Sequence, residues 1–132
     1  MASRATRLNP GPLADHAMNF VIIPREEIRL ESDGFVLTKG DQRLFTVRWD
    51  EIREIVAFKR DFLTWDCVFL AFRVDADDRY LEVNEEIPGF ILLSDEMMSR
   101  FPMIPADWFA ATTQPPLTTT WTRLFGEPPQ VG

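Results

Sequence analysis

Histidine and cysteine each occur once in the 132 residues, as His16 and Cys67. A lone cysteine closes no intramolecular disulfide, and a lone imidazole cannot supply the several nitrogen and sulfur ligands of a common zinc site. His16 also precedes every expected core element, so a Ser-His-Asp or Cys-His arrangement lacks a positioned base, and a surface role is expected for it. Long apolar runs are missing as well: the longest, Cys67–Phe72, is far short of the ~20 residues of a membrane-spanning helix. Basic residues are too few to balance the acidic ones, 14 against 21, and the net charge is −7. Phosphate binding depends on clustered positive charge, so nucleic acid and anionic membrane surfaces are not expected partners. None of the six glycines falls in GxGxxG or GxxxxGK[ST], which leaves no familiar phosphate cradle and no expected cofactor.

What remains is 45% hydrophobic and 27% charged, the make-up of one globular domain large enough to fold on its own core. Residues 1–18 lack periodicity and carry the helix-breaking Asn9-Pro10-Gly11-Pro12, so they read as a loose extension, with Met18 as an alternative start. Residues 19–125 form the expected single domain and 126–132 a loose tail. Residues 25–100 hold 11 basic and 18 acidic side chains, which accounts for the whole −7. Six of the ten prolines lie between Pro102 and Pro129, so the C-terminal part is expected to be a short helix and a proline-rich tail.

The centre reads as short antiparallel strands. Ile28 and Leu30 alternate with Arg29 and Glu31, Ser32-Asp33-Gly34 turns the chain, and Phe35-Val36-Leu37 resumes the apolar pattern of a hairpin. After Gly40-Asp41-Gln42, Phe45, Val47 and Trp49 share one face of a third strand. Ile52–Lys59 and Trp65–Val74 supply a fourth and a longer fifth strand, and 79–83 a sixth. The period then changes: Phe90, Leu93, Met97 and Phe101 fall on one helical stripe that Pro102 ends, and Ala106–Thr112 suits a second, short helix. The expected fold is α+β, a meander of about six strands forming a partial barrel capped by a helix.

Trp49-Asp50-Glu51-Ile52-Arg53-Glu54-Ile55, following three short strands, resembles bacterial pleckstrin-homology-like domains. A broader pair of blocks, 49–61 and Leu81-Glu82-Val83-Asn84-Glu85-Glu86-Ile87-Pro88-Gly89-Phe90, resembles a family of small uncharacterised bacterial proteins over roughly residues 20–125. The resemblance implies the partial barrel and a bacterial cytoplasmic setting and carries no catalytic residue. Lipid-binding pleckstrin-homology domains place basic residues on the first hairpin; here Ser32-Asp33-Gly34 stands there, so no phosphoinositide ligand is expected. A seventh strand before the closing helix is not visible.

One constellation emerges from the meander. Lys59-Arg60-Asp61 at the end of the fourth strand, Trp65-Asp66 at the start of the fifth and Glu85-Glu86 after the sixth should meet at one edge. An ion-pair network, with Lys59 and Arg60 offsetting Glu85 and Glu86, and a recognition or acid–base site are the two readings. Trp108 and Trp121, in a stretch almost without charge, are candidate anchors for a partner or for the domain itself. The expected function is a non-enzymatic module that binds a basic protein partner through its acidic surface, as small acidic bacterial proteins that neutralise toxins do. The alternative is a small hydrolase using Lys59, Asp66, Glu85 and Glu86. Asp75-Ala76-Asp77-Asp78 begins like a calcium loop, but Arg79 and Tyr80 occupy ligand and glycine places, so it reads as a charged turn.

Overall fold

A computed structural model describes residues 24–62, 65–116 and 119–129. The proposed extension 1–18, with His16 and Met18, lies outside the described residues. The fold is α+β, with antiparallel strands in two sheets and two short helices. β1 (Glu26–Glu31), β2 (Gly34–Lys39) and β3 (Gln42–Arg48) form the first sheet in that order. A single 3-10 turn, Trp49–Glu51, leads to β4 (Glu54–Asp61), followed by β5 (Asp66–Arg73) and β6 (Leu81–Asn84). Helices α1 (Phe90–Arg100) and α2 (Trp108–Thr112) come next, and β7 (Thr120–Gly126) returns to pair with β4. The second sheet therefore has the order β6-β5-β4-β7, and no closed barrel joins it to the first among the described residues.

The main core lies between the sheets. Phe35 on β2 meets Phe72 on β5 edge to face at 5.0 Å, and Trp49 bridges Phe35 to Phe101 at the end of α1. The helical stripe behaves as its spacing requires: Phe90, Leu93 and Met97 are buried in the same core. Burial of an apolar side chain of this size is worth about 1.5–3 kcal/mol, so the stripe fixes the helix more firmly than its modest length would. Gly89 sets where α1 begins. Its φ is +97°, and a Cβ there would stand 2.1 Å from the Ile28 carbonyl oxygen, so only glycine lets the helix start against β1. The Ile28 amide donates to the Pro88 carbonyl at 2.9 Å and closes that junction. Leu30, expected inward with Ile28, is instead exposed at the edge of the first sheet.

The seventh strand is the main departure. The stretch expected to run out as a proline-rich tail forms an edge strand, and Glu127 beyond it is also held, its carbonyl accepting from Arg73 at 2.7 Å. A bulge hides the strand from a period-two reading: Ile55 faces Phe125 but Val56 faces Arg123, so Leu124 is an extra, buried residue and the apolar positions lose their alternation.

Candidate functional site

The register divides the predicted cluster between the two faces of the second sheet. Lys59 has the same parity as Ile55 and Ala57 and so points into the core, where it is 0% exposed. Its Nζ donates to the Thr113 carbonyl at 2.9 Å and to the Pro115 carbonyl, and lies 3.2 Å from Asp66 Oδ2. Three ammonium donors thus meet three acceptors, and Lys59 fastens the α2–β7 connection to the sheet. Arg60 points to the opposite face, over the stacked rings of Phe58 and Phe69, and pairs with Glu82 at 3.4 Å. The expected pairing of Lys59 and Arg60 with Glu85 and Glu86 is therefore replaced: Lys59 pairs with Asp66 and Arg60 with Glu82. Asp61 and Asp66 are directly opposed at the mouth of the β4–β5 connection, where exposed Trp65 stacks on Phe62 at 5.3 Å.

Glu85 and Glu86 follow β6 at the same end of the sheet. The Glu85 backbone extends the ladder by donating to the Val68 carbonyl, and its Oε2 accepts from the Val68 amide at 2.7 Å. The Glu86 amide donates to Asn84 Oδ1, a local turn that leaves its carboxylate in solvent. Among the described residues neither carboxylate enters an ion pair. They stand beside the start of α1, where Ile91 is 75% exposed and Leu92 64%. A cavity of about 330 Å³ lined by Glu85, Phe90, Ile91, Ser94 and Phe109 opens between α1 and α2, and a second of about 260 Å³ runs along 85–92. Trp108, a candidate anchor, is buried in the core against Phe90 and Phe109 and presents no surface, whereas Trp121 is 55% exposed on β7.

Cys67 lies beneath Arg60 on the sheet. Burial pushes its thiol up to about 11, and the charges of Glu86 and Glu85 add to the rise, so it is no nucleophile at neutral pH. The acidic turn closes on itself, with Asp75 pairing to Arg79 at 2.7 Å. Among the described residues no three His, Cys, Asp or Glu side chains come together as a metal site, and no helix is long and apolar enough to cross a membrane.

A charged network absent from the sequence reading sits at the other end of the second sheet. Glu54, 0% exposed, accepts from Arg73 Nε at 3.0 Å and from the Tyr80 hydroxyl at 2.7 Å on one oxygen, and from Arg123 Nε at 2.8 Å on the other. Burial pushes its carboxyl upward, but the hydrogen bonds from Arg123, Tyr80 and Arg73 outweigh that and hold it below the usual glutamate range. Arg73 is itself buried, and its remaining donors reach the Asp75 and Glu127 carbonyls. The signal for this network was an arginine ending an otherwise apolar strand, which demands a buried partner. The network joins β4, β5 and β7 and is structural.

Scans against protein-family models, curated proteins and solved structures match nothing to this chain.

Proposed function

We propose that this chain is a non-enzymatic protein-binding module whose acidic, apolar end takes a partner segment carrying a basic group beside a large apolar side chain. The observation that carries the reading is the pairing of two exposed carboxylates, Glu85 and Glu86, which form no ion pair among the described residues, with the Phe90–Ile91–Phe109 cavity between the helices. Large apolar groups exposed singly are ordinary, but their clustering beside an open cavity is the mark of an interaction surface. Carboxylates at its rim would steer a basic partner and set its orientation. Neutralisation of a basic toxin is one form that such binding takes. The hydrolase reading is less well supported, because its only lysine is fully buried and its donors are engaged. Facing antiparallel sheets with a helix over them favour a pleckstrin-homology-like scaffold, with β7 placed after the helices as the departure. A cytoplasmic setting suits the buried free thiol of Cys67.

The test is capture from native-host lysate with wild type, Glu85→Ala/Glu86→Ala and Ile91→Asp, at low and high salt, followed by affinity measurement on the purified captured protein. A stoichiometric partner that both variants weaken, and whose association slows with salt, is the expected result. A partner that binds the variants as tightly as wild type, or no retained protein, would reject the reading.

A further inference from the structure

The second sheet has a face turned away from the helices, and it carries a different chemistry. By the register, β4 sends Val56 and Phe58 to it, β5 sends Phe69 and Ala71, β6 sends Glu82, and β7 sends Trp121 and Arg123. None of the apolar residues among these belongs to the core between the sheets. A cavity of about 210 Å³ opens on this face, lined by Val56, Phe58, Ala71, Tyr80, Glu82 and Trp121. Val56 and Ala71 are cross-strand neighbours and nearly fully buried, so they form its floor. Three aromatic rings and one carboxylate form the rest.

That lining selects for a cation with an apolar skin. Aromatic faces attract positive charge through their quadrupole, and a carboxylate adds a direct Coulomb term. The aliphatic floor disfavours a strongly hydrated ammonium and suits an alkylated one, whose methyl groups bury without losing hydrogen bonds. The volume is below the ~300–1,000 Å³ of pockets for drug-sized ligands, which fits a head group or a side-chain tip. The protein's own cations already occupy this surface: the Arg60 guanidinium lies 4.9 Å over Phe58 and 3.4 Å from Glu82, and that of Arg123 lies 5.1 Å over Trp121. We infer that the Phe58–Tyr80–Glu82–Trp121 pocket binds a trimethylammonium group, with Arg60 as the internal cation that an incoming ligand displaces.

The ammonium has two sources, a free quaternary amine and a methylated lysine of a protein, and the probes separate them. Choline, a blocked trimethyllysine peptide and 3,3-dimethylbutanol, the neutral isostere of choline, are titrated while the indole N–H resonance of Trp121 is followed by NMR, assigned with Trp121→Phe. Choline is expected to shift that resonance saturably and to bind about tenfold tighter than the isostere, in line with a partly desolvated cation–π contact. Glu82→Gln should weaken choline several-fold. Arg60→Ala should tighten choline several-fold by removing the competitor, and should tighten the isostere less, because the Glu82 carboxylate that Arg60 releases attracts only the cation. A peptide that binds tighter than choline assigns the site to a protein side chain, and the reverse order assigns it to a free amine. Equal binding of choline and its isostere, no saturable shift in a variant or wild type with a dispersed folded spectrum, or a weaker Arg60→Ala would each overturn the inference.

Discussion

Replacing Glu54 by glutamine probes the buried carboxylate that ties β4 to β5 and β7. The amide keeps the carboxylate's shape and can still accept from Arg73 and Tyr80 on one side, but it turns an NH2 toward Arg123 Nε, which now sits 2.8 Å away as a second donor. More importantly, Arg73, 4% exposed, loses the one carboxylate it pairs with among the described residues. Breaking a buried pair by removing one partner costs about 3–5 kcal/mol. Arg73 keeps two carbonyl acceptors and Arg123 is one-third exposed, so the lower end applies, about 3 kcal/mol. With a urea m-value near 1.5 kcal/mol/M, the unfolding midpoint followed by circular dichroism should fall by about 2 M. The pH dependence has a definite sign. Because the folded carboxyl is held below its ordinary value of about 4.3, its contribution is complete above that value and is lost as the pH falls through the lowered one. The stability curves of wild type and Glu54→Gln should therefore converge in acid. A loss under about 1 kcal/mol at neutral pH, or curves that stay parallel into acid, would refute the reasoning.

Three further outcomes follow from single residues. Lys59→Met leaves the Thr113 and Pro115 carbonyls and Asp66 without their ammonium, and should cost about 2–4 kcal/mol, with amide-exchange protection falling first in β7; unchanged β7 protection would contradict the anchoring role. Gly89→Ala forces a Cβ onto the Ile28 carbonyl at a positive φ and should lower stability by at least about 2 kcal/mol in chemical denaturation, against a few tenths if the junction were lax. Cys67, with its thiol pushed up to about 11, should resist aromatic disulfide reagents at pH 8 in the native protein and react once urea exposes it; rapid native labelling would show that the strand opens readily.

The local code of this sequence was readable where one element carries its own signal. The Phe90–Leu93–Met97 stripe, the Ser32-Asp33 turn between β1 and β2, and the switch from period two to helical spacing all appear in the structure. Lys59 was half legible: its parity with Ile55 and Ala57 points inward, although its charge suggests the surface. The rest depended on partners distant in sequence. Glu54 meets Arg73 across 19 residues and Arg123 across 69, and no spacing announces which strands will be neighbours. β7 was obscured by the Leu124 bulge, because one inserted residue shifts every following side chain to the other face. Glu85 and Glu86 stand at the end of the second sheet that also holds Lys59 and Asp66, as a meander of β4, β5 and β6 requires. That they lack the expected basic partners followed only from which face Lys59 and Arg60 take.

The most direct test of the account is a hydrogen-exchange footprint of the chain with its captured, purified partner. New protection is expected over 85–92 and around Phe109, lost in Glu85→Ala/Glu86→Ala, with the first sheet unaffected. Protection confined to β1–β3, with 85–92 exchanging as in the free protein, would contradict it.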